Sequence, residues 1–249
     1  MSFNTNWFLK FAACFVFLGN ASVASEPITL VADEWPPFSG SELPGNGISM
    51  DISRAVLERA GYDVKSAILP WPRIVSGAQT GEYDVITSLF PSIEMQNILQ
   101  YSEPFYTTEI KFIQRKGRDI VFGDLNSLRP YSIAVGAGFL YSPEFDEADF
   151  LEKVEVTTTL QGIRMVAASH VDLTLDSTDV LRHSILRDDP SLGDQIELLE
   201  PALATQSIHM AVSTFRSDHA TIVAEFNRAL EEMQADGSFA ELLKKHNAN

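Results

Sequence analysis

Two tryptophans and a phenylalanine stand where a small-molecule site needs rigid rings. Asp33-Glu-Trp35-Pro-Pro-Phe38 follows the short β-branched run Ile28-Thr-Leu-Val-Ala32, and its prolines stop the strand and forbid a helix interior. Rings on such a loop, at the carboxyl end of a strand in an open α/β sheet, can stack on a planar or aliphatic solute or hold an ammonium by cation–π contact. The plain alternative for Trp35 and Phe38 is a loop packing its own core, and Trp71, just before Pro72-Arg73, admits the same two readings. Thr87 and Ser88 end the apolar run Tyr83–Leu89, so their hydroxyls and amides either project into a cleft or cap the strand end. Gly136-Ala-Gly138 closes Ser132-Ile-Ala-Val and offers open backbone N–H groups suited to a carboxylate, although glycines also occupy such turns for steric reasons alone.

Catalytic patterns are missing. His170, His183, His209, His219 and His246 are scattered without metal-ligand spacing, and neither a Gly-x-Ser-x-Gly elbow nor a phosphate-cradling Lys motif is present. His209, in an apolar run, reads as structural. The chain therefore reads as a binder that needs no metal or cofactor.

The surrounding pattern alternates strand and helix. Strands are expected at Ile28–Ala32, Tyr62–Leu69, Tyr83–Leu89 and Glu109–Gln114, with helices at Met50–Ala60 (Gly61 as its stop) and Pro72–Thr80. From about Gly117 the alternation resumes: strand Ser132–Gly136, helix from about Pro143 to Leu151, strand Val154–Thr157, helix Leu160–Ser169, strand Val171–Leu175, helix Thr178–Arg187 and strand Ser207–Ser213. In the tail, Ile222, Val223, Phe226, Ala229, Leu230 and Met233 share one helical face, Gly237 breaks it, and a last helix covers Phe239–Lys245. Such alternation with short connections predicts an α/β fold.

With 249 residues the chain has room for one large domain or two smaller ones, and 45% hydrophobic residues suit a folded core. Lys and Arg number 18 against 34 Asp and Glu, a formal charge of −16, which argues against nucleic acid and anionic membrane surfaces as partners. A polar start with Lys10, the apolar stretch Phe11–Gly19 and the small-residue tract Asn20-Ala-Ser-Val-Ala-Ser25 have the order of a secretory signal peptide over residues 1–24, cleaved near Ala24. The apolar stretch falls far short of the ~20 residues a membrane-spanning helix needs. Its removal takes away Cys14, the only cysteine, and Lys10, leaving a charge of −17.

Trp35-Pro-Pro-Phe38 after the early strand, Gly47-Ile-Ser-Met-Asp51, Trp71 with Gly81-Glu-Tyr-Asp84, Ser102-Glu-Pro-Phe-Tyr106 and the ending Phe226-Asn-Arg-Ala-Leu230 with Asp236-Gly-Ser-Phe239 resemble, in order and spacing, the family 3 extracellular solute-binding proteins. These are the periplasmic receptors of polar amino-acid ABC importers. The resemblance spans nearly all of residues 26–246. It implies a type II periplasmic-binding-protein fold, with a mixed sheet in each of two lobes, a two-strand hinge, and a small solute between the lobes. Residues 25–114 with 207–249 would form lobe 1, and 115–206 lobe 2. Gly138 and Phe139 would line the site. The partner would be an ABC permease, with a sensor or chemoreceptor domain as the alternative; a periplasmic dehydratase or lyase is the enzymatic one. The protein would act as a monomer in the periplasm.

The departures from that family concern its charged clamps. Where the resemblance implies an arginine for the α-carboxylate, about seven residues before the Ser-x-Pro element, this chain has Met95, and no Lys or Arg occurs between Arg73 and Lys111. Five residues after Asp172, where the family's ammonium-holding aspartate lies, stands Ser177, with Asp176 one place early. Methionine cannot imitate the bidentate fork of an arginine. Arg73, placed at a helix start, is the best replacement cation, its alternative being a solvated surface residue; Asp176 answers a ligand amine or caps a helix.

Overall fold

The computed structural model describes residues 1, 27–92 and 95–246, so the leader expected over 1–24 and its cleavage near Ala24 lie, apart from Met1, outside the described residues. Ten strands alternate with seven helices among them. In chain order these are β1 (Ile28–Ala32), α1 (Ile48–Arg59), β2 (Val64–Ile68), α2 (Trp71–Thr80), β3 (Val85–Leu89), β4 (Leu99–Tyr101), β5 (Tyr106–Arg115), β6 (Ser132–Gly136), α3 (Pro143–Asp146), β7 (Glu152–Val156), α4 (Thr159–Ala167), β8 (Leu173–Ser177), α5 (Thr178–His183), β9 (Ile196–Leu198), β10 (Ala204–Ser213), α6 (His219–Asp236) and α7 (Ser238–Lys245).

The strands run in the order β2-β1-β3-β10-β5-β8-β6-β7. Within each lobe the αβ crossovers make parallel pairs: β1 with β2 and β3 in the first, β6 with β7 and β8 in the second. The long strands β5 and β10 join the halves in antiparallel sense. On β10, Ala204–Ile208 pairs with β5, while His209–Ser213 turns to β3 and β4 across a bulge between His209 and Ala211. One strand thus serves both sheets, and a bulge there supplies the local bend that separates them.

Burial follows the topology. Every residue of β3 and β8 is buried, as expected of strands covered on both faces. Leu30, Met50, Ile52, Val56 and Val85 meet Ile222, Phe226 and Leu230 of α6 in the first core, so the chain returns to lobe 1 after visiting lobe 2. In lobe 2, Phe112, Leu128, Ile133, Phe145 and Leu173 form a separate core. Phe90 packs against both.

Three elements differ from the sequence expectation in ways that shape the site. The helix expected to reach Leu151 stops at Asp146, because the Lys153 ammonium donates to the carbonyls of Phe145 and Asp146 at 2.7 and 3.0 Å and takes the acceptors a longer helix would use. The strand expected at Val171–Leu175 is displaced to Leu173–Ser177, since the Asp172 carboxylate ties down the Ser132 N–H and hydroxyl before the ladder begins. That shift carries Asp176 to the strand end. The helix expected to reach Arg187 closes at His183 and continues as a single π turn over Ser184–Asp188. The three-residue strands β4 and β9 have too few residues for a periodic signal and were not foreseen.

Candidate functional site

The carboxyl ends of β1 and β3 in lobe 1 face the β6–α3 loop and the end of β8 in lobe 2, and between them lies a cleft of about 500 Å³. This is the size of a small organic solute, at the position where open α/β sheets place ligands. Lobe 1 contributes Asp33, Trp35, Trp71, Val75, the run Ser88–Ser92, Met95 and Tyr101; lobe 2 contributes Gly138–Pro143, Asp146, Glu147 and Asp176. Ile110 and Gln206 come from the two connecting strands.

Six of the ten residues expected from sequence line this cleft: Trp35, Trp71, Ser88, Gly138, Phe139 and Asp176. Phe38, Arg73, Thr87 and Ser177 do not. The turn at Trp35 explains Phe38. Trp35 N–H donates to the Ser39 carbonyl and Phe38 N–H to the Trp35 carbonyl, a tight closure that turns Phe38 fully into the lobe 1 core. Its ring lies 4.6 Å from that of Trp35 and supports it from behind. On α2, Trp71 and Val75 are one turn apart and face the cleft, whereas Arg73 is rotated about 200° away. Its Nε donates to the Tyr83 hydroxyl at 2.8 Å and its terminal nitrogen reaches Glu82, so the expected replacement cation is a surface residue. Thr87 points to the other face of β3 and shares a hydrogen bond of 2.7 Å with Ser53. Ser177 caps α5 by accepting from the Asp179 N–H, and its hydroxyl meets that of Thr108 at 2.7 Å.

The turn Gly136-Ala-Gly138 is not an open anion nest. Gly136 N–H donates to the Tyr141 hydroxyl at 2.8 Å, Ala137 N–H to the Val156 carbonyl and Phe139 N–H to the Gly136 carbonyl. No helix begins there either, and α3 has only four residues. The steric reading of the glycines holds instead: a Cβ on Gly136 would come within 2.4 Å of the Phe139 ring, and Gly138 adopts φ +75°.

Ser88 and Asp176 are the unusual polar groups. Ser88 sits at φ +61°, a left-handed conformation that costs of order 1–3 kcal/mol in a non-glycine residue and collects at functional sites. The residue is only 6% exposed, and its hydroxyl has no partner among the described residues. Asp176 is 2% exposed and accepts from the Thr159 hydroxyl and from the Ser177 N–H at 2.7 Å, and the Trp35 indole N–H of the other lobe lies near enough to favour its charge. Burial pushes the Asp176 carboxyl up to about 6 despite these donors. Asp33, half-buried at the opposite wall, is also pushed up to about 6, by burial against its own backbone hydrogen bond and then by the charge of Glu34. The Tyr106 and Thr108 hydroxyls of the connecting strand β5 donate to Asp179 at 3.1 and 2.8 Å.

Sequence reasoning missed Asp33, Phe90, Tyr101, Tyr141 and Gln206 as lining residues. Asp33 had a signal, an acid two residues before Trp35 at a strand end. Gln206 donates to the Tyr141 carbonyl at 2.7 Å across 65 residues of sequence, a contact no local pattern encodes. His209 holds the Ser102 carbonyl and the Ser207 hydroxyl, each at 2.7 Å, which is the structural role expected of it. Among the described residues no group of three or more His, Cys, Asp or Glu is placed to hold a metal ion, and no helix is long and apolar enough to cross a membrane.

Residues 28–249 match the family model of bacterial extracellular solute-binding proteins, family 3. The L-cystine-binding protein TcyA of Bacillus subtilis (strain 168) is 22% identical over 90% of this chain and 83% of its own. The lysine/arginine/ornithine-binding periplasmic protein of Escherichia coli (strain K12) is 22% identical over 85% of this chain and 84% of its own. Among solved structures, a histidine kinase sensor domain with similarity to periplasmic binding proteins superposes with a TM-score of 0.77 at 19% identity, over 89% of this chain and 96% of that one, which shows a common fold.

Proposed function

Because this chain belongs to the bacterial extracellular solute-binding proteins, family 3, we propose that its cleft captures one small polar or amino-acid-like solute and that the closed form delivers it to an ABC permease. The observation that supports this reading above the others is the solute-sized cleft itself, lined from one side by Trp35 and Trp71 and from the other by Phe139 and Asp176. A solute there touches both lobes at once, so its contacts with lobe 2 favour the closed state by differential affinity. On this reading the chain crosses between lobes at Ser102–Tyr106 and at Ile208–His209, where the pairing changes sheet. The leader over residues 1–24 exports a protein that works as a monomer in the periplasm.

The test is a thermal-shift and calorimetric screen of amino acids, amines and organic acids against the purified chain. A solute that binds at one per chain and is recovered unchanged supports a receptor; release of a product would make the protein a lyase or dehydratase. Stimulated ATP hydrolysis by a reconstituted permease on adding the loaded protein supports transport, and a response only from a sensor or chemoreceptor domain would move the partner to signalling.

A further inference from the structure

The cleft has an electrostatic character of its own. Asp33, Asp146, Glu147 and Asp176 line it, and no Lys, Arg or His is among the described lining residues. Lys153, in the smaller depression next to it, is committed to the carbonyls of Phe145 and Asp146 and lies 4.9 Å from the centre of the Phe145 ring. Arg73 is on the surface. The turn at Gly136–Phe139 has spent three amides on Tyr141, Val156 and Gly136. A ligand carboxylate would therefore enter a field of like charge with neither a cation nor an open amide nest to receive it.

A cation would meet the opposite situation. Buried charges in folded proteins are paired, and neither Asp33 nor Asp176 forms an ion pair with any described residue. Asp176 accepts two hydrogen bonds, leaving further acceptor sites open at a carboxylate with about four lone-pair sites. Independently, Ser88 lines the same cleft, and its buried hydroxyl has no hydrogen-bond partner among the described residues. Trp35, Trp71, Phe90 and Phe139 supply apolar walls and the faces that attract an ammonium.

We propose that the solute is an organic cation without a carboxylate, an amine or quaternary ammonium with an apolar body, paired with Asp176 and Asp33 between aromatic walls. This rests on the solute-binding reading above and adds the ligand's class. Pairs of probes that differ mainly in the carboxylate test it: cadaverine against L-lysine, phenethylamine against L-phenylalanine, and choline against glycine betaine, each followed by thermal shift and isothermal titration on the full chain. At least one carboxylate-free member binds, about tenfold or more tighter than its carboxylated partner. Asp176→Asn lowers that affinity by about tenfold to a hundredfold, the usual loss for a hydrogen bond to a charged group, while the unliganded melting temperature holds or rises. Preference for the carboxylated member in every pair, or binding only of neutral solutes or organic acids from the wider screen, overturns the inference and leaves the solute-binding reading intact. Binding of nothing in any class, at millimolar concentration, removes both. An amine that binds Asp176→Asn as tightly as the native chain removes Asp176 from the site.

Discussion

Replacing Asp176 by asparagine should stabilise the unliganded protein at neutral pH and do little at acid pH. Asp176 is 2% exposed and forms no ion pair with a described residue, and burial raises its carboxyl from 3.8 to about 6. Its folded-state value lies above the unfolded one, so between the two the native state binds more protons. Stability contributed by this group is then greatest at low pH, falls as pH rises from about 4 to about 6, and stays low above that. Two pH units at 1.36 kcal/mol each make the charge unfavourable by about 3 kcal/mol at pH 7.5. Asparagine removes the charge and keeps an oxygen for the Ser177 N–H, while its NH₂ can donate to the Thr159 hydroxyl once that hydroxyl turns. Imperfect geometry should leave a net gain of about 1–3 kcal/mol, which for a chain of this size is roughly 2–10 °C in Tm. Thermal unfolding of both chains at pH 7.5 and pH 4.5 measures it. A variant less stable than the native chain by the same amount at both pH values would show that Asp176 is a structural hydrogen-bonding group whose charge costs nothing, and the reasoning would fail.

Arg73→Ala should leave both the unliganded Tm and ligand-induced stabilisation nearly unchanged, because among the described residues its guanidinium meets only Tyr83 and Glu82 at the surface; loss of ligand-induced stabilisation alone would place it back in the cleft. Gly136→Ala pushes a methyl to within 2.4 Å of the Phe139 ring, so the ring must move and solute affinity should fall by more than stability does; titration and melting on the same sample compare the two, and an unchanged affinity would show that the ring's position is immaterial. Phe226→Ala, in the fully buried stripe of α6, should cost about 3–5 kcal/mol in urea unfolding, and a cost under 1 kcal/mol would mean that α6 is not part of the lobe 1 core.

The fold was largely legible because its signals are local. The α6 stripe, the β-branched run of β1 and the glycine stops after α1 and α6 depend on neighbours a few residues away, and all stand where expected. The site was half legible for the same reason. Trp35 and Ser88 sit at strand ends, which periodicity locates, but whether Phe38 faces in or out depends on the closure between Trp35 and Ser39, and whether Arg73 faces the cleft depends on where α2 starts. A one-residue uncertainty in the first helical position rotates every side chain by about 100°. Asp176 was hardest to place, since a two-residue displacement of β8, set by Asp172 reaching back 40 residues to Ser132, decides where that strand ends. Met95 does line the cleft, so the missing cation is a property of the site as well as of the sequence.

An unpaired carboxylate at that strand end has a consequence for closure. On the solute-binding reading, the Trp35 indole approaches Asp176 only when the lobes are together, so part of the burial that raises the carboxyl to about 6 is expected to depend on closure. Separating the lobes rehydrates the carboxylate and recovers much of the roughly 3 kcal/mol, a bias toward opening of up to about a hundredfold at neutral pH when the cleft is empty. A bound cation pairs with the charge and removes the penalty only in the closed form, so the closing free energy comes from the ligand's own chemistry. The D176N chain, freed of the charge, should then be the more compact of the two in small-angle scattering without solute. Equal radii of gyration, with the native chain as compact as its solute-bound form, would break the link between this carboxylate and the opening of the cleft.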